Sequence, residues 1–278
     1  MGRKSKHHYI PKCYLKEFTK DRKTTSLFWC ILNNNIKSFQ TSPNDSCAQR
    51  DYYTIDHIDP LIIEDFYANQ VEPKISLAIN YINKYASIPQ RNERQNLVLL
   101  MAALYLRVPF FRQLVQKPLE QMKETITSME KDVSISNKDE FNFNQTDLIR
   151  IETKLLTRIQ NYLTTKYFQL FVINEPDLYI ITSDNPFVLS HPLEDEQNFS
   201  FGLNTPNIEI LIPITKKAFI IAKNEPCNEI SFIADKKLVA LVNTKLLLNS
   251  HKYIYSCDDK ILLLDSELKV YEHHIQSG

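Results

Sequence analysis

Apolar and polar positions follow two different rhythms along this chain. After a basic stretch over residues 1–6, the aromatic segment 9–18 predicts a short helix starting near Pro11, because proline suits the first helical turn. Ser26-Leu27-Phe28-Trp29-Cys30-Ile31-Leu32 and Ile36-Lys37-Ser38-Phe39 are aromatic and β-branched runs on either side of Asn33-Asn34-Asn35. That is the pattern of a β-hairpin. Asp51-Tyr52-Tyr53-Thr54-Ile55 predicts a further short strand. From residue 61 the period lengthens. Residues 61–67, then Ile75, Leu77, Ile79 and Ile82, keep helical spacing, with Pro73 kinking or dividing the segment. Residues 92–111 are more apolar: Leu97, Leu99, Leu100, Met101, Leu104 and Leu106 cover more than one face and predict a central helix buried nearly all round. Residues 114–129 continue helical. The polar stretch 134–145 has no period and predicts a loop. Residues 146–166 resume as an amphipathic helix with Asp147 in its first turn, where a carboxylate favours the helix dipole.

From residue 167 the rhythm changes to strands. Residues 168–173, 178–182, 208–214 and 218–222 are apolar runs divided by turn formers such as Asn174-Glu175-Pro176-Asp177. A helix is expected over 235–249, then a closing hairpin of 252–256 with 260–264 around Asp258-Asp259. The order (β-hairpin, central helical bundle, mostly antiparallel C-terminal sheet) is α+β rather than alternating βαβ. The expected organisation is one domain over 1–278, with lobes at 1–133 and 146–278 joined by the loop 134–145.

Composition narrows the function classes. Lys plus Arg and Asp plus Glu both total 33, so the net charge is zero, which argues against a nucleic-acid binder acting through bulk charge but leaves a local basic cleft open. Glycine is the outlier: Gly2, Gly202 and Gly278 are the whole set. Phosphate cradles need several glycines for close backbone approach, so a P-loop, a GxGxxG fingerprint and a GxSxG elbow are all excluded, and no nucleotide-cofactor signature remains. Cys13, Cys30, Cys47, Cys227 and Cys257 form no CxxC pair, against a zinc ribbon or a thioredoxin motif. No signal-like or membrane-spanning apolar run occurs, so a cytoplasmic protein with reduced thiols and no membrane partner is expected.

The opening His7-His8-Tyr9-Ile10-Pro11-Lys12-Cys13-Tyr14-Leu15-Lys16-Glu17-Phe18 holds the most concentrated candidate chemistry. Its His8-Tyr9-Ile10-Pro11-x-x-Tyr14-Leu15-x-x-Phe18 pattern resembles the start of a broad microbial family catalogued as domain of unknown function 4238. The resemblance continues in order through Arg50-Asp51-Tyr52-Tyr53, Ile63-Glu64-x-x-Tyr67 with Val71-Glu72, and Arg107-x-Pro109-x-x-Arg112. Ile181-Thr182-Ser183-Asp184-Asn185-Pro186, Ile212-Pro213-Ile214, Asn243 and Tyr253-Ile254-Tyr255-Ser256 complete it. The likeness spans nearly the whole chain and implies no activity, so the site must be argued from its residues.

His8 is read as a general base, metal ligand or phosphate contact, against an idle histidine at a basic terminus. Adjacent His7 points the other way in an extended segment. Glu72, directly before Pro73, is a candidate metal or acid–base carboxylate. Glu64 is read as a solvated or ion-paired residue, because eight residues of unbroken helix separate the two by ~12 Å. Arg107 sits on the most apolar helix and must be paired or face a cleft. It is either a clamp for phosphate or carboxylate, or a structural salt bridge to Glu72 or Asp184. Asp184 and Asn185 before proline are either turn caps or cleft-facing groups at a strand end. Tyr14 and Tyr53 are core residues or stacking platforms for a base, and Arg112 is grouped with them and Asn185 as substrate-binding. His273-His274 is given no role.

Two functions follow as expectations. One is a metal-dependent phosphodiesterase or nuclease of the toxin or phage-defence kind, acting on RNA or DNA. In it, His8, Arg107 and Asp184 would be catalytic, and Glu72, Asp184 and His8 would hold Mg or Mn. The other is a non-enzymatic module, sensor or antitoxin-like, that binds a small anion or a protein partner.

Overall fold

The computed structural model describes residues 6–32, 37–55, 59–129, 144–191 and 202–275. It is α+β, as the order of rhythms predicts. Strand β1 (Lys6–His8) leads through Pro11 into a short helix, α1 (Lys12–Leu15), continued as a single 3-10 turn to Phe18. The hairpin is present as β2 (Phe28–Leu32) against β3 (Ser38–Thr41); its Asn33-Asn34-Asn35 turn lies outside the described residues. The strand expected at 51–55 is instead a turn, and the strand lies just ahead of it, as β4 (Ala48–Arg50) paired antiparallel with β1. Side chains replace a ladder at this turn. His7 accepts from the Tyr53 amide at 2.9 Å and Arg112 donates to the Tyr52 carbonyl at 3.0 Å.

The helical region is α2 (Ile62–Phe66), a π-helical turn over Tyr67–Val71, and α3 (Glu72–Tyr85). Pro73 falls in the first turn of α3, where its missing N–H costs least. In a regular helix its ring would meet the carbonyl four residues back, and the wide turn immediately ahead relieves that clash. Helix α4 (Arg91–Leu106) is the buried centre: residues 97–104 are all buried. It does not run on to Phe111 as expected. The chain bends by 52° at Arg107-Val108 and restarts as α5 (Pro109–Met129), because Pro109 cannot supply the next helical hydrogen bond. Of the loop expected at 134–145, residues 134–143 lie outside the described residues. Asn144 and Asp147 cap α6 (Gln145–Thr164) reciprocally, the two-way box that fixes a helix start.

The C-terminal strands are β5 (Tyr167–Val172), β6 (Thr182–Ser183), β7 (Val188–Ser190), β8 (Glu209–Thr215), β9 (Ala218–Lys223) and β10 (Ser231–Ile233). Helix α7 (Lys236–Asn249) precedes β11 (Tyr253–Ser256), β12 (Lys260–Leu264) and β13 (Val270–His274). Residues 178–181 are not strand; the Ile181 amide donates to the side chain of Asn243 instead. The main sheet runs β10-β5-β9-β8-β7, with only the β10–β5 pair parallel. The closing hairpin of 252–256 with 260–264 does not form. Strand β11 joins the N-terminal hairpin in the order β3-β2-β11-β6, where Tyr255 stacks on Phe28, and β12 pairs with β13. Residues from both ends of the chain therefore share one sheet, and one core cluster runs from Tyr9 to Tyr255. No single helix among the described residues is long and apolar enough to cross a membrane.

Candidate functional site

Arg107 ends α4 and is 1% exposed, so every polar atom of its guanidinium must be answered inside the protein. Its Nε donates to the Tyr53 hydroxyl at 2.9 Å and one terminal nitrogen donates to the His8 carbonyl at 2.6 Å. The other terminal nitrogen, Nη1, lies 3.6 Å from a Glu72 carboxylate oxygen and makes no hydrogen bond. The Tyr67 ring covers the guanidinium at 4.1 Å, a desolvated cation–π contact. Arg107 thus ties β1, the 51–53 turn, the π-helical turn and α4 together. Of the two alternatives for this residue, the geometry is that of the ion pair to Glu72.

One turn further on, Arg112 lies 3.5 Å over the Tyr52 ring and donates to Glu152 at 3.1 Å. Glu152 also accepts from the Tyr67 hydroxyl at 2.7 Å. Burial raises its carboxyl above the ordinary range and Arg112 opposes that. Glu152 was missed by the sequence reading, although a signal existed. It sits on the same helical face as Leu148, Ile149 and Leu156, and a carboxylate there needs a buried partner.

At the edge of this network stand His8, Cys13 and Glu64, the latter two half-buried. His8 is buried, and its Nε2–H donates to the Asn44 carbonyl at 3.1 Å. Burial, reinforced by the charge of Lys12, pushes its pKa down to about 4, so the ring is neutral at physiological pH with Nδ1 as acceptor. Cys13 contacts the Glu72 carbonyl at 3.8 Å, and burial lifts its thiol to about 11, which makes it a poor nucleophile. Glu64 is half-buried with Oε2 enclosed and without a hydrogen-bond partner. Burial raises its carboxyl, the charge of Glu72 adds to that, and Arg107 and Lys12 oppose it. Glu64 and Glu72 therefore share one electrostatic neighbourhood. The π-helical turn between them changes their relative phase around the helix axis.

Asp184 and Asn185 belong to a different construction. Both Asp184 oxygens are taken by backbone amides: Oδ1 by His251 at 2.9 Å, and Oδ2 by Lys252 at 2.9 Å and Tyr253 at 3.1 Å. Burial raises the carboxyl and these amides oppose it. Asn185 donates to the Asn249 carbonyl at 2.9 Å and Asn249 donates back at 2.8 Å. This is the turn-capping alternative, latching the 184–187 turn to the end of α7. Tyr14 is wholly buried between Thr182 Oγ1 at 2.8 Å and the Pro213 carbonyl at 2.9 Å. The structure thus gathers His8, Tyr53, Glu72, Arg107 and Arg112 into one network and gives Tyr14, Asp184 and Asn185 separate partners. Glu72, Asp184 and His8 form no metal site: among the described residues no group of three or more His, Cys, Asp or Glu could hold a metal ion.

The motifs that carry the family resemblance fall on these constructions. Tyr52, Tyr53, Glu64, Tyr67, Glu72, Arg107 and Arg112 make up the first, and Asp184, Asn185 and Tyr253 the second. The sequence profile of the family described as "Protein of unknown function (DUF4238)" matches residues 6–260, and the chain belongs to that family. No curated protein and no solved structure gives a match.

Proposed function

We propose that this chain cleaves phosphodiester bonds in RNA or DNA by general acid–base chemistry, with Glu64 and Glu72 as the proton-handling pair. The observation that supports the reading is the unequal setting of the two carboxylates. Glu72 is held beside the Arg107 guanidinium at 3.6 Å as an ion pair. Glu64 has a raised pKa and an enclosed, unpartnered oxygen, which favours its protonated form. Two neighbouring carboxyls in unequal settings, one ion-paired and one enclosed without a partner, are a usual basis of an acid–base assignment. Glu72 takes the proton of the attacking hydroxyl, either water or the 2′-OH of RNA. The phosphorus–oxygen bond to the leaving group breaks, and the leaving oxygen takes the proton from Glu64. Lys12, which lowers the Glu64 pKa, supplies positive charge beside the pair. Arg107 acts through Glu72 rather than on the substrate, because it is enclosed. The Mg or Mn expected from residue chemistry has no fitting donor set among the described residues, so no step is routed through a metal.

Cleavage of labelled RNA and single-stranded DNA, measured in EDTA and again with added Mg or Mn, tests this. Glu64→Gln is expected to lower the rate by roughly 10²-fold or more, the usual weight of a general acid. Absence of any product with the wild-type protein in every condition removes the proposal. Such an activity fits a cytoplasmic effector of the toxin or phage-defence kind.

One observation favours the second reading, a module that binds a small anion or a protein partner without turnover. Asp184, Asn185, Tyr14 and Tyr53 all direct their polar atoms to partners within the chain, as scaffold residues do. Thermal stabilisation by a ligand without product formation would select it.

A further inference from the structure

Tyr52 and Arg112 also line a depression of about 300 Å³, away from the carboxylate pair. Its remaining polar lining consists of Gln49, Arg50, Gln113, Gln116 and Gln145, with no aspartate or glutamate. A depression of similar size elsewhere on the protein includes Glu175, Asp177 and Glu272, so an acid-free lining is not what this composition gives by default. Acidic and basic residues are equal in number over the chain. Here guanidinium is the only charge.

The hydrogen-bonding capacity of the lining is largely unused. Among the described residues, the side chains of Gln49, Arg50 and Gln116 make no hydrogen bond, and the Gln113 amide meets His251 Nε2 at a long 3.4 Å. Gln145 donates through Nε2 to the carbonyls of Asp51 at 2.6 Å and Thr54 at 3.1 Å. Those bonds fix its amide and leave Oε1 as an acceptor. Arg112 is itself more than nine-tenths buried, and its Nε has no acceptor. The wall is therefore rigid on one side, where Arg112 is clamped on Tyr52 and Glu152, and adaptable on the other.

We propose that this depression binds a nucleoside phosphate, with the phosphate on Arg50 and the base edge on the amides of Gln113, Gln116 and Gln145. The unengaged Gln116 amide offers a donor and an acceptor side by side, the complement of a base edge and the way glutamine pairs with adenine, while Gln145 adds an acceptor through Oε1. A guanidinium takes two phosphate oxygens at once. The volume is at the small end for ligand sites and suits a single nucleotide unit. The source is either a free nucleotide or one unit of a strand, and the chemistry is the same. The inference stands on these residues alone, whether or not Glu64 and Glu72 cleave anything.

Calorimetric titration of the full chain with the four ribonucleoside monophosphates, with inorganic phosphate and with the unphosphorylated nucleosides tests it. At least one monophosphate is expected to bind roughly tenfold more tightly than either fragment, about 1.4 kcal/mol. Arg50→Ala is expected to weaken it by a similar factor, and Gln116→Ala by several-fold. Arg50 is exposed and Gln116 is partly exposed, so both variants are expected to keep the wild-type melting temperature. A single-stranded ribonucleotide tetramer binding more tightly than the monomer assigns the site to a strand; equal affinity assigns it to free nucleotide. No heat with any monophosphate at millimolar concentration overturns the proposal. So does binding that neither variant changes, since the ligand would then sit elsewhere.

Discussion

His8 makes folding stability depend on pH in a direction that can be worked out beforehand. Its imidazole falls from the ordinary 6.5 to about 4 in the folded chain, chiefly because burial disfavours the charged ring and secondly because Lys12 repels it. The unfolded chain takes up a proton near pH 6.5, and the folded chain does not until about pH 4. Between those limits the unfolded state binds more protons, so stability falls as the pH falls and is restored as it rises. A displacement of that size corresponds to about 3 kcal/mol, fully present above the upper limit and lost below the lower one. Other buried groups titrate in the same range, including His7, so the total slope alone does not isolate His8. His8→Gln does. A glutamine amide can still donate to the Asn44 carbonyl but takes up no proton. Urea denaturation of both proteins between about pH 7 and about pH 4 should show the wild type losing about 3 kcal/mol more than the variant. Parallel stability profiles would refute the reasoning, because they would mean that the ring accepts a proton as readily folded as unfolded.

The polar networks yield further tests. Glu152→Gln leaves the Arg112 guanidinium without its carboxylate partner and should cost about 3 kcal/mol in chemical denaturation, whereas the paired change Glu152→Met with Arg112→Met should recover most of that loss. Arg107→Ala removes bonds to Tyr53 and the His8 carbonyl and opens a cavity. It should lower stability by about 4 kcal/mol and raise amide exchange over 6–9 and 52–54 before the main sheet is affected. Asp184→Ala strands the amides of His251, Lys252 and Tyr253; a fall of about 3 kcal/mol is expected by calorimetric melting, while RNA cleavage per folded molecule stays unchanged.

Much of this arrangement was legible before folding was considered. The short apolar runs between turn formers gave β5, β8 and β9, and the all-round apolar stretch gave α4, because burial on every face removes polar positions from the pattern. Strand partners were less legible. Lys252 to Leu264 reads locally as a hairpin, yet β11 gains more by stacking Tyr255 on Phe28 and pairing with β2, a contact more than two hundred residues distant in sequence. The 51–55 segment failed for a related reason: its backbone groups are met by His7 and Arg112, side chains whose positions depend on the tertiary fold. Arg107 could be recognised as a residue needing a partner, and Glu72 was one of two partners considered. Asp184 was the other, and its three amide donors show that a strand-end carboxylate before proline is fully employed in holding its own turn. Glu64 was set aside because regular helical geometry separates it from Glu72, and no propensity or period announces a π-helical turn.

That wide turn over Tyr67–Val71 works as a phase shift in the α2–α3 rod. Rewinding the same five residues as ordinary helix would swing everything upstream by about 90° around the axis, because a π-helical turn advances by less per residue. Glu64 would then leave the neighbourhood of Glu72 and Arg107 although none of the three had been altered. The electrostatic coupling of these carboxylates thus depends on how five intervening positions wind, and not only on which residues stand at either end.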